Sequence, residues 1–414
     1  MIQQTRSMAD ASVQVSGGSA PKPADSGPSS AAPVLIAQAV PETGTPAVTP
    51  VPNTTTPITA PQPGATPPMV AAQIPPKPAP VTVSGFMDFY FQHSFENQSP
   101  GSSLNGRIYS TRNDVPALAL VWLDVTHAAP PGGFGAKVSL AVGDSADSDH
   151  AGIDHVPGYS DGSRYKNIQQ AFVNYAAKNG FTARFGKYLS PYGYDTTETY
   201  LNPLYSVTLD TFLAPNYVEG LDVTYPLAHP NIILEGFVVN SLHEEQNGKS
   251  PDGIVRINLT TLGGKLNYIP ALGFGRDTVG GSSEETLLFD NWLTYNATKT
   301  ITLAGEYIYN HNTGGSNNSK SDGYGLYFRK QLTSRTAVAL RNSAIESHPD
   351  AGPGGIYRAY EYTAMYEYKL AKPLTARLEF RHDHSSNPAA FPFGTATNPK
   401  ADQNTLTLAA LYNF

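Results

Sequence analysis

The stretch Tyr360-Glu361-Tyr362-Thr363-Ala364-Met365-Tyr366-Glu367-Tyr368-Lys369-Leu370 is followed, after Ala371-Lys372-Pro373, by Leu374-Thr375-Ala376-Arg377-Leu378-Glu379-Phe380-Arg381-His382-Asp383. Both segments alternate with a period of two, as strands do when successive side chains point to opposite sides. In the first, Tyr360, Tyr362, Ala364, Tyr366, Tyr368 and Leu370 oppose Glu361, Thr363, Met365, Glu367 and Lys369. In the second, Leu374, Ala376, Leu378 and Phe380 oppose Thr375, Arg377, Glu379, Arg381 and Asp383. One apolar face and one charged face would also suit a half-buried sheet in water. Repetition decides the matter. The pattern returns down to the last strand, where Leu406, Leu408, Ala410, Tyr412 and Phe414 oppose Thr405, Thr407, Ala409, Leu411 and Asn413. A single sheet of about sixteen such strands must close around something, and a charged face turned inward implies a water-filled lumen.

Working outward, strand candidates pair as 81–95 with 116–127, 134–144 with 168–178, 181–191 with 217–227, and 232–241 with 259–270. They continue as 273–282 with 286–297, 301–311 with 323–332, 336–346 with 359–370, and 374–384 with 403–414. Seven connections are tight: Pro130-Pro131-Gly132-Gly133, Lys178-Asn179-Gly180, His229-Pro230-Asn231, Ala271-Leu272, Lys299-Thr300, Ser334-Arg335 and Lys372-Pro373. Gly, Asn and Pro supply the dihedral angles such turns need. The other connections are mostly longer and polar. Short turns on one side and long loops on the other, with an even strand count, are the wiring of an outer-membrane barrel. The expected fold is therefore all-β, a transmembrane antiparallel barrel over residues 81–414.

Composition agrees. No run approaches the roughly 18–20 apolar residues of a membrane-spanning helix; the apolar runs, such as Ile232-Ile233-Leu234, are short. The mean hydropathy of −0.29 does not exclude a barrel, whose strands meet lipid only at every second residue. A net charge of −7 argues against nucleic acid as a partner. There is no cysteine, so disulfides and thiolate metal sites are excluded. All 43 aromatic residues lie after residue 85, with Tyr in excess, as in the girdles of membrane barrels.

Residues 1–80 are different. They hold 17 of the 35 prolines and no aromatic residue, so they cannot bury enough surface to offset the entropy of ordering. We read them as a disordered, protease-sensitive solvated tether, extended from Pro41 to Pro80, the alternative being a segment that spans peptidoglycan or binds a partner. Met1–Ala20 lacks the apolar core of an export signal, and Pro33–Ala39 is too brief to provide one.

Two features resemble known sequences. The final Leu411-Tyr412-Asn413-Phe414 resembles the C-terminal aromatic signature of bacterial outer-membrane proteins. That resemblance implies recognition of Phe414 by the barrel-assembly machinery and a place among outer-membrane lipid and lipopolysaccharide. Gln170-Ala171-Phe172-Val173-Asn174-Tyr175, with Arg184-Phe185-Gly186-Lys187-Tyr188-Leu189-Ser190-Pro191-Tyr192-Gly193-Tyr194, is similar to the β-barrel porin-2 (OmpL-like) family. The acidic position after Gly-Tyr is Asp195 rather than Glu. Gly220–Leu227 and Val238-Val239-Asn240 also match, with Asn-Ser where Asn-Gly is usual. The resemblance covers about residues 81–414. It implies a porin of the cell outer membrane, passing small polar solutes by passive diffusion, with a homotrimer as its assembly and without cofactor or catalysis.

Sixteen-strand general porins fold their third loop into the lumen, and loop 192–216 holds that ordinal place. Its Asp195, Glu198 and Asp210 are the candidate constriction, expected to face basic wall residues and set up a transverse field. Expected inward acids are Asp88, Asp124, Asp222, Glu235, Asp290, Glu306, Glu361, Glu367, Glu379 and Asp383. Expected inward bases are Lys137, Arg184, Lys265, Arg329, Arg341, Lys369, Arg377 and Arg381. The near balance predicts weak ionic selectivity. Among these, Arg184, Arg341, Glu367, Arg377, Glu379, Arg381 and Asp383 are the first candidates for the pore wall, Arg377 and Arg381 opposing the loop acids. His93, His150, His155, His243, His311, His348, His382 and His384 fall at outer strand ends or loops, without the spacing of metal ligands. The competing readings are a barrel whose loops act as an enzyme or adhesin, and a soluble β-protein on a stalk. A TonB-dependent transporter needs more strands and a folded plug than this chain can hold.

Overall fold

The computed structural model describes residues 81–149, 166–227, 231–242, 250–279, 282–314, 318–349 and 355–414. The tether, along with His150, His155 and His243, lies outside the described residues. Sixteen strands form a closed antiparallel barrel. In chain order they are β1 (Val81–Ser94), β2 (Pro116–His127), β3 (Gly133–Val142), β4 (Ile168–Ala176), β5 (Thr182–Leu189) and β6 (Tyr217–Pro226). Then come β7 (Ile232–Val239), β8 (Asp252–Thr261), β9 (Leu266–Val279), β10 (Ser282–Asn296), β11 (Ile301–Thr313) and β12 (Ser319–Gln331). The last are β13 (Thr336–Pro349), β14 (Tyr357–Lys369), β15 (Leu374–Ser385) and β18 (Asp402–Asn413). A small hairpin of β16 (Phe393–Thr395) and β17 (Asn398–Lys400) occupies the last long loop, and one short helix, α1 (Asp144–Asp149), follows β3.

Closure is made by β1 against β18, from Phe86 opposite Asn413 to Ser94 opposite Thr405. Two further bonds extend this seam: the Gly85 N–H donates to Phe414 (3.0 Å) and the Phe414 N–H to Gly85 (2.9 Å). The Phe414 ring lies over Gly85, where a β-carbon would come within 2.7 Å of it. A closed ladder leaves no edge unpaired, the condition for a sheet in hydrocarbon.

The two faces divide as the alternation requires. Leu326, Leu340, Tyr362, Tyr366, Leu378, Phe380, Leu406 and Leu408 are exposed on the outside. Glu361, Glu367, Arg377, Glu379, Arg381 and Asp383, from the same strands, are buried within.

One hairpin departs from expectation. The strand expected at 259–270, the turn at Ala271-Leu272 and the strand at 273–282 are replaced by β8, a turn at 262–265, and an unbroken β9. Leu262, Gly263 and Gly264 all have positive φ (54°, 65° and 84°), a run that the Gly-Gly pair makes accessible. Pro270 does not end its strand. It lacks one donor, so the ladder to β8 skips between Leu259↔Tyr268 and Arg256↔Ala271, while Pro270 still sits opposite Asn291 of β10. Two corrections follow. Lys265 lies in the turn and is not a lumen residue, and Arg256, on β8, becomes one.

Candidate functional site

The connection 190–216 runs inside the barrel, and it is held there through its backbone. An irregular chain buried in this way must find partners for its N–H and C=O groups, and the wall's charged residues provide them. On the way in, the Gly193 N–H donates to Asp290 (2.6 Å) and the Tyr194 N–H to Glu306 (3.1 Å). At the tip, the Arg377 guanidinium donates to the carbonyls of Thr199 (2.8 Å), Asn202 (3.0 Å) and Leu204 (3.2 Å). On the way back, Glu379 accepts from the N–H groups of Tyr205 (2.7 Å) and Ser206 (3.1 Å). Arg341 donates to the Val207 carbonyl (3.0 Å) and Arg381 to the same oxygen (2.6 Å). Asn310 closes the sequence by donating to the Leu213 carbonyl (2.9 Å).

Apolar contact supports the same placement. Leu204, Val207, Leu209, Phe212 and Leu213 of the loop share one buried cluster with Trp122, Ile308, Ile345 and Met365 of the wall. Each such side chain is worth roughly 1.5–3 kcal/mol when fully buried. The first loop (95–115) contributes Ile108 and Tyr109 to the cluster, and the last (386–401) Phe391 and Phe393. The wall also makes room. Gly323 and Gly325 of β12 point inward under Asp210, and a β-carbon at Gly323 would come within 2.7 Å of the Asp210 side chain.

Asp195, Glu198 and Asp210 all lie in this loop and are buried, but their surroundings differ. Asp195 is 3.3 Å from Arg341, which also holds Glu361 at 2.9 Å. Burial pushes Asp195 up to about 6, against the pull of Arg341. Glu198 is raised to about 7 by burial, with Lys137 opposing that rise and Asp124 adding to it. Lys137 and Asp124 themselves pair at 3.0 Å on β3 and β2. Asp210 sits in a 3₁₀ turn, Asp210–Leu213, and is raised to about 8, chiefly by burial.

The wall candidates are equally distinct. Arg377 pairs with Glu367 (3.0 Å) and Arg381 with Asp383 (2.9 Å), so among the described ion pairs neither Arg joins a loop acid. Arg341 alone does so. Arg184 lies against Asp222 and over the rings of Phe172 and Tyr188, on the opposite side of the lumen.

Two charged positions that contact the loop or the wall escaped the sequence reading. Arg256 pairs with Glu235 (2.6 Å) and donates to the Pro191 carbonyl (2.9 Å) at the root of the loop. Only the misplaced hairpin concealed it. Arg107, in the first loop, reaches Asp383 (2.6 Å) and Thr405 (2.7 Å). No alternation marks a loop residue, so nothing local could have predicted it. At the rim, His93, His348 and His384 each pair with one carboxylate. Among the described residues no group of three or more His, Asp or Glu is placed to hold a metal ion.

A family model described as beta-barrel porin-2, OmpL-like, matches residues 80–414. Solved structures share the fold at low identity. The trimer form of OmpT, an outer membrane protein of Vibrio cholerae, aligns with a TM-score of 0.57 at 12% identity over 82% of this chain and 100% of its own. The outer membrane channel DcaP of Acinetobacter baumannii gives 0.56 at 13% identity, over 81% and 97%. An anion-selective porin from Comamonas acidovorans gives 0.54 at 13% identity, over 81% and 99%. No curated protein sequence matches this chain.

Proposed function

The chain belongs to the β-barrel porin-2, OmpL-like, family, and from that premise we propose an outer-membrane porin for passive diffusion of small polar solutes, narrowed by its third loop. The observation that carries this reading is the seating of 190–216 inside the barrel by Arg341, Arg377, Glu379 and Arg381. A loop held by buried charge-assisted bonds narrows the lumen, since each bond to a charged group is worth roughly 1.5–3 kcal/mol. We assign Asp195 and Asp210 to the loop–wall seam and Glu198 to the face turned toward Lys137 and Asp124. Arg184 lines the far wall. We assign the protein no catalytic role. Reconstitution into planar bilayers should give discrete conductance steps, and liposomes should swell in small sugars and not in larger oligosaccharides. Closed membranes at every protein density would refute the channel.

Assembly is proposed as a homotrimer, on the likeness to the trimer form of OmpT, within lipopolysaccharide-containing outer membrane. Phe414 lies across the β1–β18 seam, so its loss should affect insertion more than pore properties. We expect Phe414→Ala to reduce the heat-modifiable, folded form in outer-membrane fractions several-fold, while the protein that does insert conducts normally. Unchanged accumulation would remove Phe414 from assembly by the barrel-assembly machinery.

A further inference from the structure

The tip of the third loop forms the floor of a cup that opens at the tight-turn end of the barrel. Its volume is about 340 Å³, within the size range of small-molecule sites. Tyr200, Leu201, Asn202 and Pro203 line it from the loop, and the ends of β11, β12, β14, β15 and β18 line it from the wall. Four cations face this space: Arg329, Lys369, Lys372 and Arg377. One carboxylate, Glu367, faces it with them and is shared, 2.6 Å from Arg329 and 3.0 Å from Arg377. Lys369 and Lys372 are exposed and have no carboxylate partner among the described residues. The cup therefore carries excess positive charge inside low-dielectric walls, the arrangement that concentrates counter-ions.

We infer that this cup is a binding site for small organic anions carrying two or more carboxylate or phosphate groups. The inference rests on the channel reading for its route of access and deepens it by naming a solute class. Arg377 is fixed by Glu367 and by the loop carbonyls, so it contributes field more than contact. Arg329 is partly accessible and is anchored by Glu367 and the Pro203 carbonyl (3.3 Å), which aims its charge into the cup. Lys369 and Lys372 stand at the rim as flexible point charges able to close on a bound anion. Tyr200 and Leu201 offer an aromatic and aliphatic floor for the carbon skeleton. A neutral sugar would gain nothing from the four cations. An inorganic cation would be repelled.

The test uses the full chain in detergent and in bilayers, with citrate as probe, inorganic phosphate as second anion and glucose as neutral control. Titration calorimetry should show saturable citrate binding that weakens as salt rises, with no heat from glucose. The double variant Lys369→Gln/Lys372→Gln changes only exposed side chains, so the barrel should fold, and citrate affinity should fall at least tenfold. In bilayers, citrate added from the turn side should reduce current in the parent and much less in the variant. Binding of phosphate as tight as that of citrate would restrict the site to single phosphate groups and overturn the polyanion assignment. Equal citrate affinity in parent and variant would overturn the site. Normal conductance with no citrate binding would sink this inference alone, whereas citrate binding without conductance would sink the channel reading instead.

Discussion

Deleting residues 196–208 should raise single-channel conductance several-fold and admit larger solutes, while the barrel keeps its resistance to SDS at room temperature. The resistance of a water-filled tube is dominated by its narrowest section, and the loop occupies that section throughout its buried course. The barrel survives because all sixteen strands pair only with one another, from β1 round to β18. The loop contributes none of those ladder bonds. The deletion does remove partners from Arg341, Arg377, Glu379 and Arg381, but water then enters and solvates them. Arg341 retains Glu361, Arg377 retains Glu367 and Arg381 retains Asp383, so each cation keeps its wall carboxylate. Stability should drop by the lost apolar burial of Leu204, Tyr205 and Val207, roughly 5–9 kcal/mol for three buried side chains. A folded deletion variant with the parent's conductance would place the solute path elsewhere.

The barrel was legible in the sequence because membrane strands are written twice over, in the alternation and in the loop lengths. Tyr360–Asp383 predicts the faces of β14 and β15 residue by residue, and the charged side is inside. The hairpin at 262–265 differs from the expected turn at Ala271-Leu272 because β9 runs on through Pro270, whose single missing donor costs a ladder one bond. The loop's place in the lumen followed from its order in the chain. Its partners did not. Which wall group meets which loop group depends on contacts between residues more than a hundred positions apart, such as Arg341 with Asp195 or Arg377 with the Thr199 carbonyl. Period-two alternation reports a face and carries no information about what lies across it. An opposition of Arg377 and Arg381 to the loop acids was a reasonable inference from charge alone. The fold instead uses those cations on carbonyl oxygens, because a buried irregular backbone has more acceptors to satisfy than the acids do.

Raising the pH from about 5 to 8 should loosen the loop, and the change should be smaller in Asp210→Asn. Asp210 is buried, and neither of its carboxylate oxygens accepts a hydrogen bond of normal geometry. The neighbouring Thr208 hydroxyl is engaged with that of Thr211 (2.8 Å). Three further carboxyls face it: Asp195 from the loop, Asp290 from β10 and Glu306 from β11. Tyr327 of β12 and Arg341 of β13 complete the surroundings. Arg341 is the cation acting on it there, and it is already shared between Asp195 and Glu361. Burial first, then the neighbouring acids, lift Asp210 to about 8 from its ordinary 3.8. A loop released into water would ionise at the ordinary value. The seated loop therefore holds a proton that the released loop has lost, across the whole interval between those two values. Its advantage is complete below about pH 4, declines as pH rises, and is gone above about pH 8. Each unit within that window costs the seated state up to about 1.4 kcal/mol, so the seating equilibrium moves toward release across it. Conductance noise and limited proteolysis within 190–216 should rise together as the pH passes from 5 to 8. Asp210→Asn is neutral at every pH and should respond less, the remainder coming from Asp195 and Glu198, which burial raises to about 6 and about 7. Parent and variant responding alike to pH would mean that the seat is governed by another group, and a parent that tightens with rising pH would reverse the assignment.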